Sequence, residues 1–176
     1  MMKSALIVSL GLIIPVLAAC SEQDDVNELL ILQNKALAES DYAKASEYAE
    51  KACKLNSGIG CYTFGEILVI GGTPDYGKAR GYMEKSCELN CAEGCVEIGV
   101  MYFKGLDVEP DQNKALQYFD KSCNLKLDMG CFMAGAVYEL GQEVGQNLQK
   151  AADYYRKACD LKSREGCEGL EMSVIL

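Results

Sequence analysis

Lys44-Ala45, Lys78-Ala79, Lys114-Ala115 and Lys150-Ala151 recur at spacings of 34, 36 and 36 residues, and this period constrains the fold more than any other feature. Tyr48, Tyr82, Tyr118 and Tyr154 keep the same phase, as do Lys51, Lys85, Lys121 and Lys157. So do Leu55, Leu89, Leu125 and Leu161, and the dipeptides Gly60-Cys61, Gly94-Cys95, Gly130-Cys131 and Gly166-Cys167. A unit of this length cannot bury its apolar face alone. Such units stack into a solenoid in which each contacts its neighbours.

Each unit reads as two helices. Asp41, Asp75, Asp111 and Asn147 stand three residues before each Lys-Ala, where a short acceptor side chain caps a helix N-terminus. Ala45, Tyr48, Ala52 and Leu55 then follow helical spacing on one face of a second helix, B. The first helix, A, is expected to begin at each Gly-Cys. Cys95, Ile98, Gly99 and Tyr102 lie at i, i+3, i+4 and i+7; Cys131, Ala134, Gly135 and Tyr138 repeat this, and Cys61, Phe64, Gly65 and Leu68 vary it. A mid-helix glycine costs about 1 kcal/mol relative to alanine, so its recurrence predicts close helix–helix approach. Gly71, Gly105 and Gly141 are expected to end helix A. Residues 26–39, capped by Asp25, supply helix A of the first unit, and Glu168 to Leu176 form a terminal capping helix with Glu171 in place of the expected glycine.

The pattern resembles the Sel-one-like repeat family, a relative of the tetratricopeptide repeats, over residues 24–170. The Lys-Ala-x-x-Tyr-x-x-Lys-Ala-Cys stretch, with its second cysteine eight residues on, further resembles the helicobacter cysteine-rich subfamily. The resemblance implies an all-α fold, a right-handed α/α solenoid of about four disulfide-stapled repeats. Two departures stand out. The first inter-unit loop, around Gly71-Gly72-Thr73-Pro74, is two residues short, and Cys91 has no counterpart in the pattern.

Ten cysteines in 176 residues indicate an oxidising compartment. Eight form four pairs at one offset: Cys53 with Cys61, Cys87 with Cys95, Cys123 with Cys131, and Cys159 with Cys167. Zinc sites of thiolates need close Cys-x-x-Cys spacing, which these offsets do not supply, so no metal site is assigned. The repeat phase selects local disulfides from the many connectivities that eight cysteines allow. Cys91, at the position of Ser57, Leu127 and Ser163, is left as a free thiol, either a tolerated loop residue or a group for intermolecular or shuffling exchange.

At the N-terminus, Met1-Met2-Lys3 and the apolar run Ala5 to Leu17 have the form of a signal segment, too short for a confident membrane span. Leu17-Ala18-Ala19-Cys20 resembles a bacterial lipobox, which implies that residues 1–19 are removed and Cys20 is lipidated. The expected organisation is a signal peptide over 1–19, a lipidated linker over 20–24 and a repeat domain over 25–176. The acyl chains would hold the protein on a membrane without a spanning helix. Ser21 after the cysteine resembles sorting that favours the outer membrane, facing the periplasm.

Familiar catalytic chemistry finds few footholds. The chain has no histidine, which excludes His-based acid–base and nucleophile pairs and the common zinc sites. No phosphate-binding glycine loop or EF-hand spacing occurs, and no cofactor is assigned. The net charge of −9 repels phosphate backbones, arguing against nucleic acid. The helicobacter resemblance implies penicillin binding and weak beta-lactamase activity, yet no serine has a lysine three residues on, as serine lactamases require. No catalytic residue is assigned.

Surface remains. If helix A lines the concave side, the residues that vary between units carry specificity: Tyr62, Thr63 and Glu66; Glu97, Val100 and Met101; Met133, Val137 and Glu139. Aromatic, methionine and carboxylate side chains together suit a protein partner with a basic and apolar surface. The expected function is a non-enzymatic envelope lipoprotein that binds a partner protein. By family analogy, one such role is an immunity protein neutralising a secreted toxin such as a phospholipase. Lactam binding with weak hydrolysis and an envelope-assembly scaffold are the alternatives.

Overall fold

The computed structural model describes residues 13–70 and 73–175, with side chains over 23–70 and 73–173. Among the described residues the chain is helical throughout, in the order α1 (Ile13–Ala38), α2 (Tyr42–Lys54), α3 (Gly58–Ile70), α4 (Tyr76–Glu88), α5 (Ala92–Lys104), α6 (Gln112–Asn124), α7 (Asp128–Leu140), α8 (Leu148–Asp160) and α9 (Arg164–Ile175). Each helix packs on the next. The odd-numbered helices are helix A of their units, and α2, α4, α6 and α8 are helix B.

The caps explain where helix B starts. The side chains of Asp41, Asp75, Asp111 and Asn147 accept hydrogen bonds from the backbone N–H of Lys44, Lys78, Lys114 and Lys150. Each cap satisfies one donor that the first turn leaves without an intrahelical partner. Helix A starts two residues before each Gly-Cys, just after Ser57, Cys91, Leu127 and Ser163. Of these, Ser57 and Ser163 accept from the N–H of Gly60 and Gly166. At its far end, Gly105 (φ +71°) and Gly141 (φ +60°) take the left-handed conformation that closes α5 and α7. Gly71 lies outside the described residues.

The first unit differs from expectation. Asp25 caps nothing, because α1 continues through it from Ile13. No glycine interrupts this stretch.

Two glycine positions let the helices close. A Cβ on Gly99 would lie 2.6 Å from the ring of Phe119, and one on Gly135 would lie 2.7 Å from the ring of Tyr155. These aromatic side chains of helix B therefore lie directly on the backbone of helix A. In α9, Gly169 lies against Tyr155 of the preceding α8, whereas Glu171, at the position of Gly99 and Gly135, is exposed.

Each unit carries a disulfide from the last turn of helix B to the first turn of the next helix A. The pairs Cys53–Cys61, Cys87–Cys95, Cys123–Cys131 and Cys159–Cys167 all have Cα atoms 4.5 Å apart. Further bonds repeat between units. Lys85 and Lys121 donate to the carbonyl oxygens of Cys53 and Cys87, and Ser86 and Ser122 donate to those of Gly58 and Ala92. At the last junction Ala158 takes the serine position, Lys157 rests over the Tyr154 ring, and Tyr154 donates to Asp120. The carboxylates of helix B, such as Glu47, Glu50 and Glu84, make i,i+4 pairs on its solvated face.

Candidate functional site

The backbone of α5 comes close to those of α3 and α7, and that of α7 to α9, whereas successive B helices among the described residues are linked by long side chains such as Lys85, Lys121 and Tyr154. In a curved stack, elements that meet across two units lie on the inside of the curve. The A helices are therefore the inner wall.

Periodicity decides which of its residues reach solvent. In α3, Tyr62 and Glu66 are half-buried, and in α5 so are Glu97 and Val100. Burial pushes the Tyr62 phenol far above its ordinary range, and the carboxylates of Glu66, Glu97 and Glu93 push it further. Burial also raises Glu97; the neighbouring Glu66 carboxylate adds to this, and Lys104 opposes it. These residues form a negative, partly desolvated patch across α3 and α5. In α7, Glu139 accepts a hydrogen bond from the Tyr155 hydroxyl, and Met133 is half-buried against the cluster around Phe119.

Three of the nine expected contact residues are core residues instead. Thr63 is 7% exposed and accepts from the amide of Gln33 on α1. Met101, 5% exposed, packs with Met83, Cys95 and Ile98. Val137 is 0% exposed among Val96, Ala115, Phe119 and Ala134. The reason is rotational. One step around the helix from Tyr62, Val100 or Ala136 turns a side chain from the inner wall toward helix B, and variation between units does not distinguish these directions.

Sequence reasoning missed other inner-wall residues. Glu93, Phe132, Ala136, Leu140, Glu165, Glu168 and Met172 surround Tyr62 or a groove between α7 and α9. Their signal was present in the repeat phase: Ala136 and Met172 occupy the position of Glu66 and Val100 in the following units.

Cys91 is free and buried. Its thiol donates to Glu93, and burial raises its pKa, which disfavours the nucleophilic thiolate. Its backbone stands at the N-cap of α5 with no side-chain capping bond. The residue therefore packs as a small apolar group against Gly58 of the preceding unit. Cys20, with residues 1–12 of the signal segment, lies outside the residues whose side chains are described. Among the described residues, no helix is long and apolar enough to cross a membrane, and no cluster of metal-ligating side chains occurs.

The model of the Sel1 repeat matches residues 36–57, 58–91, 92–127 and 128–163, more than half of the chain. The cysteine-rich protein B of Helicobacter pylori is 37% identical, with 73% of this chain and 93% of that chain covered and a TM-score of 0.60. A Sel1 repeat protein from Oxalobacter formigenes is 21% identical over 82% of this chain, with a TM-score of 0.71; the match spans 60% of that protein. The protein c5321, described as a protective antigen of uropathogenic Escherichia coli, is 20% identical over 85% of this chain, with a TM-score of 0.77, and is matched over 34% of its length. The last two likenesses concern the fold alone. No curated protein matches the chain by sequence.

Proposed function

From the premise that the chain belongs to the Sel1 repeat family, we propose that it is an envelope lipoprotein whose inner helix wall holds a partner protein stoichiometrically. Sel1 repeats are protein-interaction scaffolds, and the fold is typically non-enzymatic. The observation that carries the reading is the patch of Tyr62, Glu66, Glu93 and Glu97. Half-buried Glu97 loses hydration beside the like charge of Glu66, so the ionised carboxylates of this patch are held unfavourably close in the free protein. They are relieved when a basic surface covers them.

The disulfides point to an oxidising, extracytoplasmic setting. In the proposed form residues 1–19 are removed, lipidated Cys20 anchors the chain to the outer membrane, residues 20–24 are a linker and residues 25–176 face the periplasm. One role that fits an acidic, anchored binding module is neutralising a secreted toxin, such as a phospholipase, by covering it. Losing Lys3 with residues 1–19 takes the net charge from −9 to −10, which speeds encounter with a basic partner and loses that advantage as salt rises.

The test is cross-linking in intact cells followed by affinity purification of wild type and of a Glu66→Lys variant. One basic protein recovered with wild type, depleted with the variant and inhibited on addition of purified wild type supports the reading. Recovery of the same proteins with both forms removes the inner wall from it. Fractionation of wild type and Cys20→Ser tests the anchor, and an unlipidated soluble wild-type protein overturns that part.

A further inference from the structure

The groove between α7 and α9 differs from the acidic patch at the other end of the inner wall. Phe132, Ala136 and Leu140 of α7 and Met172 of α9 bound a cavity of about 350 Å³, with Glu139, Glu165 and Glu168 around it. Its floor is firm. The Tyr155 ring lies between Gly135 and Gly169, stands 5.6 Å from the Phe132 ring, and is tied by its hydroxyl to Glu139. Its rim is open: Leu140 is 53% exposed and Met172 is 59% exposed. At the position of Met172 the earlier units carry Glu66, Val100 and Ala136, so the largest apolar side chain of this series stands at the last unit.

We propose that this groove seats a segment of the partner protein that presents one large aliphatic side chain beside a lysine or arginine. The proposal rests on the partner-binding reading above and adds the chemistry of its anchor point. The aliphatic group covers Phe132, Leu140 and Met172, removing apolar surface from water. The cation is set by the three carboxylates. Glu139 is oriented by Tyr155 and Glu165 accepts from the Ser163 hydroxyl, while the exposed Arg164 is the one cation paired with Glu165 and Glu168 among the described residues, at 3.7 and 3.6 Å. Such solvent-exposed pairs contribute little and exchange readily for a new cation. A second copy of this chain suits the groove less well, because it brings its own net charge of −9 to a rim of carboxylates.

The experiment uses the full chain in mild detergent with its disulfides intact. Phage-displayed random heptapeptides are selected on it, and enriched sequences are synthesised and titrated by fluorescence anisotropy. The expected consensus places Leu, Ile or Met next to Lys or Arg. Affinity should fall at least tenfold in Met172→Asp and in Glu168→Lys, and stay unchanged in Glu47→Lys on the solvated face of α2. Exchanging the peptide's cation for glutamate should restore binding to Glu168→Lys. Circular dichroism and intact mass check that these exposed-site variants remain folded and oxidised. Selection of acidic or uncharged polar peptides, no enrichment at all, or equal binding to Met172→Asp overturns the groove. Peptides that lose binding only with Glu66→Lys also overturn it, while leaving the wider inner-wall reading standing.

Discussion

The ammonium group of Lys121 on α6 donates a hydrogen bond of 2.6 Å to the carbonyl oxygen of Cys87, one unit earlier at the end of α4. Lys85 does the same to Cys53, at 2.9 Å. Each lysine adds a second donor to a last-turn carbonyl that already accepts the backbone N–H of Asn56 or Asn90, at the negative end of the helix dipole. The acceptor belongs to a disulfide cysteine, so bridge and hydrogen bond converge on one junction. The recurring lysine is thus a link between units as well as a surface charge.

Replacing Lys121 by Met keeps the aliphatic stem and removes the donor. The expected loss is about 1.5–3 kcal/mol, the range for hydrogen bonds to charged groups. Urea unfolding of wild type, Lys121→Met and Lys157→Met measures it. Lys157 stacks on Tyr154 instead of bonding a carbonyl, so its replacement should cost less. Equal losses would contradict the assignment.

Gly99→Ala drives a methyl group into the Phe119 ring and should destabilise by about 1–3 kcal/mol, as overpacking does. Gly81→Ala, with nothing near its added Cβ, should stabilise by about 0.5–1 kcal/mol through helix propensity. Phe119→Leu in the Gly99→Ala background should recover part of the loss. Thermal unfolding of the four proteins decides it.

Cys91→Ser should leave the four disulfides in place and be neutral or stabilising, by up to about 1 kcal/mol, because it restores a capping hydroxyl. Ser163 already caps Gly166 and donates to Glu165 at the equivalent position. In contrast, replacing Cys123 and Cys131 together by serine should cost about 2.5 kcal/mol of chain entropy for so short a loop. Intact mass under non-reducing conditions and denaturant midpoints report both outcomes.

Glu97→Gln should raise the melting temperature at neutral pH. Burial and Glu66 hold the Glu97 pKa above its ordinary value of 4.5, so the folded state retains this proton to higher pH than the unfolded chain. Its ionisation therefore lowers stability as pH rises from that ordinary value through the raised one. Below the ordinary value the carboxyl is neutral in both states, and the difference between wild type and Glu97→Gln should vanish. A gain that persists at acidic pH would point to packing rather than charge.

The sequence alone determined the number of units, the two-helix reading, the caps at Asp75 and Asp111 and the cysteine pairing, because each is a short-range signal copied at a fixed period. A cap bonds a residue three positions on, and a disulfide joins cysteines eight apart. Only the tertiary structure decided which variable residues meet solvent. Thr63 follows Tyr62 and Met101 follows Val100, yet one of each pair is core, because a single residue step turns the side chain through about 100°. It also decided that α1 runs past Asp25 and that Lys157 turns to Tyr154 where Lys121 turns to a carbonyl. The groove at Met172 needed it most, since its walls come from α7 and α9 and its floor from α8, and no local pattern records how three helices meet.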